Sequence, residues 1–287
     1  MITKIILGTV QFGLNYGINN TTGKPSEETV SDILNQAYLS GIRKLDTAEA
    51  YGNAQTVIGN FHRKNRTSFD VNTKFKSGAQ SKLKSGLLST LEELHIDRVN
   101  TWFYHSFQDY IESPDWLTEI AKIKEDGLIE KIGVSVYSNF ELDSVIGDDV
   151  VDVIQLPFNL LDNRSQRGDL LEKAKAANKT IQIRSAFLQG LFFMDISSLP
   201  INLQSLKPYL ERLLKLSREY DITMESLCLQ YVNAQPHIDE IIIGVDSKMH
   251  LLKNLEVLKS ELDPEVCHII DSIQVSEPEL LYPFNWK

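Results

Sequence analysis

Asp46, Tyr51, Lys74 and His105 are side chains whose chemistry could be joined in one proton relay. Asp46 closes the short run RKLD, and Tyr51 follows five positions later in LDTAEAYG. Lys74 closes DVNTK, and His105 closes TWFYH. A phenol with its ordinary pKa of about 10 is a weak proton donor at neutral pH. A neighbouring ammonium stabilises the phenolate, and making the phenol ten times more acidic takes about 1.4 kcal/mol of such stabilisation. The ammonium in turn needs a counter-ion, because a partly buried, unpaired lysine tends to lose its proton. These types fit a line from Asp46 through Lys74 to Tyr51, which leaves His105 to hydrogen-bond a substrate oxygen or help relay the proton.

For these groups to meet, the runs that carry them must end at one rim. The chain holds eight strand-type runs: IILG (5–8), RKLD (43–46), DVNTK (70–74), TWFYH (101–105), KIGVS (131–135), DVIQL (152–156), TIQIR (180–184) and EIIIGV (240–245). Helix-type patterns separate them at residues 26–41, 79–95, 113–127, 167–179 and 208–221. Ser26 reads as the N-cap of the first helix, and Gly41 as its terminating C′ residue. Strands alternating with helices make βαβ units and a parallel sheet. Eight such units in 287 residues close most economically as an α/β fold of the (β/α)8 TIM-barrel type, a single domain over residues 1–287. An open doubly wound sheet is the alternative, but no GxGxxG follows an early strand, and GxxxxGK[ST] is missing too. In a barrel of this kind the active site lies at the carboxyl ends of the strands. There the sequence places Asp46, Lys74, His105, Ser135, Gln155 and Arg184, with Gly244 near the end of the eighth run. Residues 187–208 are too long and aperiodic for a routine connection and read as a lid.

Composition narrows the class. Hydrophobic residues at 42% and charged residues at 24% are ordinary for a globular chain with a sizeable core. A formal net charge of -10, with no run of Lys or Arg, disfavours nucleic acid and anionic lipid as partners. No apolar run approaches the roughly 20 residues of a membrane span, and the N-terminus turns polar at Thr9 and Gln11. Cys228 and Cys267 lack CxxC or Cys/His spacing and read as reduced thiols, which points to a cytoplasmic protein. His62, His95, His237 and His268 have no ligand spacing, and His250 with Asp246 is too sparse a set for a metal.

Within LDTAEAYG, NTKF and YHS, the residues Asp46, Tyr51, Lys74 and His105 resemble the catalytic tetrad of the aldo-keto reductase family. LGTVQFG, IGVSVYS, VIQLPFNLLD, RSAFLQGLF and IIIGVDSKMHLLKNL follow in family order, so the resemblance covers nearly the whole chain. It implies a (β/α)8 barrel without a tightly bound metal, which binds NAD(P)H and transfers hydride to an aldehyde or ketone. It casts Tyr51 as general acid, Lys74 and Asp46 as its activators and His105 as the group that orients the carbonyl. It further implies that Ser135 and Gln155 hold the nicotinamide carboxamide, and that Gly244, Asp246, Ser247 and Asn254 belong to a loop around the adenosine phosphate. Asn159 also matches the family, with a structural role in its loop as the preferred reading.

The departures from the family pattern carry information. Val136 stands where many members have Asn. Arg184 replaces an aromatic residue that often stacks on the nicotinamide. A guanidinium can stack on the neutral ring but is repelled by the oxidised cationic one. A salt bridge from Arg184 to a nearby carboxylate is an equal alternative. Asp246 and His250 occupy positions where NADPH-preferring members carry an Arg and a further basic residue. An acidic side chain repels a 2′-phosphate and can accept from a free 2′-hydroxyl, so NADH is the expected preference. Lys248 and Lys253 could still reach a phosphate. A small aldehyde or a sugar-derived carbonyl is compatible as substrate. Tyr282, Phe284 and Trp286 could roof the pocket and Phe12, Phe107, Phe187 and Phe192 line it, or the tail packs on the barrel exterior. Arg164 could contact an anionic group or serve a loop salt bridge. A second reading, of another class, is a cofactor-binding regulatory or scaffold subunit on the same barrel. The intact tetrad argues against it, since a scaffold has no physical need of a polarised phenol.

Overall fold

The computed structural model describes residues 4–65, 67–75 and 83–286. Eight parallel strands close into a barrel in sequence order: β1 (Ile5–Gly8), β2 (Lys44–Asp46), β3 (Asp70–Phe75), β4 (Val99–Tyr104), β5 (Ile129–Ser135), β6 (Val153–Pro157), β7 (Thr180–Arg184) and β8 (Glu240–Gly244). The ring closes through β1 and β8, where Ile5 to Gly8 pair with Ile241 to Gly244. The expected barrel and all eight expected strands are present, with ends shifted by no more than two residues.

The helices are α1 (Val10–Gly13), α2 (Glu27–Leu39), α3 (Ala54–Lys64), α4 (Leu83–Leu94), α5 (Phe107–Glu112) and α6 (Pro114–Glu125). They continue with α7 (Asn139–Ile146), α8 (Arg164–Ala176), α9 (Lys207–Glu219), α10 (Met224–Asn233), α11 (Lys248–Val257) and α12 (Pro264–Asp271). The ends of α2 follow the sequence signals: Ser26 Oγ accepts from Thr29 N–H, and Gly41 takes the left-handed φ of 91°. The expected start of the second helical pattern, residues 79–82, lies outside the described residues.

Side chains alternate between the two faces of each strand. Outward positions such as Leu7, Leu45, Val71, Trp102, Ile154 and Ile183 join one continuous apolar core with the helices. The lumen is different. Asp46 on β2 and Gln155 on β6 stand on opposite sides of the ring, so the 2.9 Å bond between them runs through the barrel interior. Phe103 fills part of this space, and a Cβ on Gly133 would meet its ring at 2.3 Å. A largely polar lumen is what lets charged groups near the carboxyl ends of the strands keep partners after leaving water.

Outside the barrel wall, buried His62 of α3 links two connections. Its Nδ1 lies 2.8 Å from the Leu94 carbonyl, and its Nε2 accepts from the Phe69 N–H at 3.3 Å. An accepting Nε2 requires a neutral ring, so Nδ1 carries the proton and donates. Burial lowers the His62 pKa, against the opposing pull of the Leu94 carbonyl. An unfolded chain, with histidine near the ordinary value of about 6.5, therefore takes up this proton first as pH falls. The stability tied to a neutral His62 is complete above that value and declines as pH falls towards the lower folded pKa. Urea unfolding is expected to show stability falling from about pH 7 to about pH 5 more steeply in wild type than in His62→Gln. Equal slopes would refute this role.

Candidate active site

The loop after β2 is tied to the end of β3. The Thr47 N–H donates to the Asn72 carbonyl at 2.9 Å, and the Glu49 N–H to the Lys74 carbonyl at 3.1 Å. A turn follows, with Tyr51 N–H donating to the Ala48 carbonyl, and Gly52 in the left-handed region at φ 58°. Gly13 of α1 lies directly against this turn. A Cβ on Gly13 would fall 1.7 Å from the Tyr51 carbonyl oxygen, and one on Gly52 would fall 2.5 Å from the Gly13 carbonyl oxygen. Two glycines thus let two backbones touch and seat the phenol of Tyr51 over the barrel mouth.

Lys74 and Asp46 form an ion pair at 2.5 Å, with side-chain exposures of 1% and 4%. Lys74 Nζ also donates to the Thr47 carbonyl at 3.0 Å, and Gln155 Nε2 donates to the second Asp46 oxygen at 2.9 Å. Lys74 Nζ stands 5.2 Å from the centre of the Tyr51 ring. The imidazole of His105, one residue past β4, meets that ring edge-on with centroids 5.9 Å apart. The four groups singled out in the sequence therefore share one place.

The phenol is not eased towards ionisation in the resting protein, contrary to what the pattern of residue types suggests. Burial raises the Tyr51 pKa well above the ordinary phenol value and the charge of Asp46 adds to this, while Arg184 pulls it down. Lys74 is shifted below the ordinary lysine value, because desolvation outweighs the support of Asp46. Tyr16, beside Tyr51, is pushed up to about 12 by burial, although Gln189 donates to its hydroxyl at 2.9 Å. The resting site therefore holds a protonated phenol.

All four groups line a cavity of about 640 Å³ at the carboxyl ends of the strands. Ser135, Gln155, Arg184, Gly244, Asp246 and Asn254 line it too. Ser247 does not: its hydroxyl caps α11 by accepting from the His250 N–H at 3.2 Å. The guanidinium of Arg184 lies 4.1 Å over the Tyr137 ring and donates to the Val136 carbonyl at 3.2 Å, contacts other than the carboxylate bridge that is one of the two alternatives for it. Asn159 Oδ1 accepts from the Leu161 and Asp162 N–H groups, a structural role in its loop.

Gln155 carries the clearest sign of a missing partner. Its Oε1 is buried, lacks a hydrogen-bond partner among the described residues and belongs to a side chain in the cavity wall. A primary amide brought there would supply the N–H that this oxygen lacks. Gln11 Oε1 is likewise buried and unpartnered, and a Cβ on Gly244 would fall 2.7 Å from it, so the bare backbone keeps this wall open. The residues present thus fit a nicotinamide cofactor. Towards α11 the cavity is bordered by Asp246, paired with His250, and by Glu225, paired with Lys253.

Sequence comparison agrees with this geometry. The Aldo/keto reductase family matches residues 4–275. The chain belongs to that family. It is 22% identical to an NADH-specific methylglyoxal reductase of Escherichia coli, covering 91% of each chain. It is 23% identical to a putative voltage-gated potassium channel subunit beta of Schizosaccharomyces pombe, covering 86% of this chain and 84% of that one. Among solved structures, a Bacillus halodurans aldo-keto reductase in its holo form superposes with a TM-score of 0.74 at 18% identity, covering 94% of this chain and 92% of the other. A glycerol dehydrogenase from Gluconobacter oxydans gives 0.72 at 18% identity, covering 94% and 90%. As an aldo/keto reductase the protein is an oxidoreductase of carbonyl chemistry in a family that uses NAD(P)H. Among the described residues no helix is long and apolar enough to cross a membrane.

The structure adds wall residues that the sequence pattern does not single out, chiefly Tyr16, Tyr137, Gln189 and Phe193. Tyr137 is held from behind by Arg167, which donates to its carbonyl at 2.5 Å and forms a buried ion pair with Asp162 at 2.7 Å. Phe187 and Phe284 line the cavity, whereas Phe12 and Phe192 lie in the core and Phe107 packs beside Tyr110. Tyr282 and Phe284 pack on Tyr137, so the tail borders the mouth there, while Arg164 opens α8 outside the cavity. The segment expected as a lid contributes Phe187, Gln189, Gly190 and Phe193 to the wall, tied down by Ile18 N–H donating to the Gln189 carbonyl at 3.0 Å.

Gly13→Ala forces Tyr51 and its loop away from α1. A displacement near 1 Å can lower turnover by about 100-fold, so kcat/KM for a carbonyl is expected to fall at least tenfold. Cofactor affinity, measured by nicotinamide fluorescence, should change far less. Wild-type turnover by a folded variant would show that the glycine contact does not seat the phenol.

Proposed function

We propose that the protein reduces an aldehyde or ketone to the alcohol, with Tyr51 as the proton donor to the carbonyl oxygen. The reading rests on one observation: the Tyr51 phenol, the Lys74–Asp46 pair and His105 share a cavity with the unpartnered oxygen of Gln155. The nicotinamide, when bound, supplies the hydride. Gln155 and Ser135 would hold its carboxamide and Asn254 would face its adenosine end, with Ser247 acting through the cap of α11. Arg184, with one face on Tyr137, would offer a planar cation to the neutral nicotinamide.

Proton transfer follows from the electrostatics. A raised pKa keeps the Tyr51 proton in place at rest, and an alkoxide forming on the substrate is basic enough to take it. Lys74 then faces the new phenolate, with its own charge held by Asp46. His105, edge-on to the Tyr51 ring in the same cavity, donates to the substrate oxygen on this reading and orients the carbonyl. Tyr16, Tyr137, Phe187 and Phe284 give the cavity apolar faces, while Gln189 and Asn19 add polar groups. Such a wall suits a small or sugar-derived carbonyl compound.

NADH is the preferred cofactor on this reading. Asp246 and Glu225 bring carboxylates to the α11 side of the cavity, where the family's adenosine-phosphate loop would lie, and Lys253, which lines the same wall, is engaged by Glu225. The Escherichia coli relative is named as NADH-specific, which points the same way. The second reading, a cofactor-binding regulatory subunit, draws on the channel-subunit name of the fission yeast relative.

Tyr51→Phe is expected to abolish turnover of methylglyoxal, 4-nitrobenzaldehyde and an aldose panel while NADH binding persists. A wild-type protein that binds NADH but reduces none of these would favour the regulatory reading. The alkaline limb of kcat/KM should report Lys74 losing its charge below the ordinary lysine value, since Tyr51 keeps its proton to higher pH; a limb above that value would contradict the assignment. Wild type should favour NADH over NADPH by about tenfold or more in kcat/KM, because about 1.4 kcal/mol of charge repulsion is a factor of ten. Asp246→Arg should erase that preference, and an unchanged ratio would remove Asp246 from cofactor selection.

A further inference from the structure

Behind the mouth of the barrel, a chain of polar side chains runs through the lumen to the site, and three of its members, Lys44, Glu240 and Gln182, have no part in the proposed chemistry. It starts at Lys44 on β2, whose Nζ lies 2.5 Å from Glu240 Oε1 on β8. Gln182 Nε2 on β7 donates to the other oxygen of Glu240 at 2.7 Å. Gln155 Nε2 on β6 donates to Gln182 Oε1 at 3.2 Å and to Asp46 Oδ2 at 2.9 Å. Asp46 then pairs with Lys74. The chain leaves β2 at Lys44 and returns to it two residues later at Asp46.

Its polarity is set from both ends. An ionised carboxylate only accepts hydrogen bonds, whereas an amide has a donor end and an acceptor end. Glu240 therefore takes the NH2 of Gln182, which turns the Gln182 oxygen towards Gln155. Gln155 must then present its own NH2, and Asp46 demands the same end. Both N–H groups of Gln155 are consumed inside the lumen, and its oxygen is the atom left without a partner at the cavity wall. Were Gln182 reversed, it would set NH2 against NH2, and Gln155 would have to choose between Asp46 and Gln182.

We propose that Glu240 and Gln182 are positioning residues, which lock the Gln155 amide so that its oxygen is presented as a fixed acceptor for the carboxamide NH2 of the nicotinamide. The inference rests on the reading of Gln155 as a cofactor contact. Neither Glu240 nor Gln182 lines the cavity; both act through Gln155. The lock also ties cofactor recognition to the Lys74–Asp46 pair, since one amide group serves both.

The test is a pair of double-mutant cycles read by NADH fluorescence titration, without turnover. Glu240→Gln removes the charge that orients Gln182. Gln182→Met removes the amide and keeps its length. Each is expected to weaken NADH roughly fivefold, the equivalent of about one hydrogen bond, with the thermal midpoint close to wild type. Gln155→Ala is expected to weaken NADH by at least as much. In the Gln155→Ala background, Glu240→Gln and Gln182→Met should add nothing further. If Gln155→Ala weakens NADH while the other two leave it unchanged, or if their effects persist in the Gln155→Ala background, the lock is refuted and the cofactor reading stands. If Gln155→Ala itself leaves NADH affinity at the wild-type value, the cofactor reading of this wall fails and the lock falls with it. The two single variants remove different links, so a failure of one to fold leaves the other to decide.

Discussion

An ammonium and a carboxylate buried together inside a barrel constrain everything around them. Removing Lys74 and Asp46 from water carries a penalty of several kcal/mol per ion, offset only by close pairing and further hydrogen bonds. Both Asp46 oxygens are engaged, one by Lys74 and one by Gln155, and Lys74 has a second acceptor in the Thr47 carbonyl. A barrel that needed only stability could fill this position with branched apolar side chains, as most barrel interiors do. The pair is therefore best understood through what it does for the phenol beside it. Its requirements are met by the adjacency of β2 and β3, by the ties from the β2 loop to the end of β3, and by a glutamine that reaches across the lumen from β6.

This constraint divides the fold into two cores of different chemistry. The outer core, between strands and helices, is continuous and apolar, and supplies the burial that holds the domain together. The lumen mixes apolar Ile6, Phe103, Val153 and Ile242 with Asn72, Gln155, Gln182 and the ionised groups. Gln155, Gln182 and the ionised groups are ordered by bonds with a defined direction, so the rigidity that a site needs comes from hydrogen-bond polarity as well as from packing. A second buried ion pair, Arg167 with Asp162, does the same for the rim: it holds the Tyr137 carbonyl and so supports the surface on which Arg184 rests.

The strands were legible in the sequence because their outward faces are apolar and their carboxyl ends carry the odd polar residues. DVNTK shows both, with Val71 in the outer core and Lys74 in the site. Other elements left weaker traces. The helix α10 buries most of its length, including Leu227, Cys228, Leu229, Tyr231 and Val232, so it lacks the one-sided pattern that marks an exposed helix. The short α7 runs for eight residues from its capping box to Gly147. Tyr16 and Tyr137 sit in loops, where neither period nor charge marks them, and only the folded chain brings them to Tyr51 and Arg184. Gln182 and Glu240 stand in runs that read as plain strands, and their value lies in partners 27 and 58 positions away. Ser247 illustrates a different limit: a serine before a helix has the same sequence signature whether its hydroxyl caps the backbone or meets a ligand.

The resting electrostatics also bear on direction under the proposed chemistry. A phenol whose pKa is raised by burial and by Asp46 keeps its proton, which is the state that reduction requires. Oxidation of an alcohol would need the phenolate as base, a state that the same environment disfavours. Lys74 meets the opposite pressure, since desolvation weakens its hold on a proton. The two effects are complementary. Forming a phenolate next to Lys74 gives the buried ammonium a second counter-charge and gives the buried phenolate a neighbouring cation, so each relieves the desolvation of the other. Arg184 contributes in the same sense, since its charge lowers the Tyr51 pKa and opposes a cationic ring in the cavity. A site built this way stores its charge pairing for the moment after proton transfer, when the alcohol has formed and the phenolate has not yet been reprotonated.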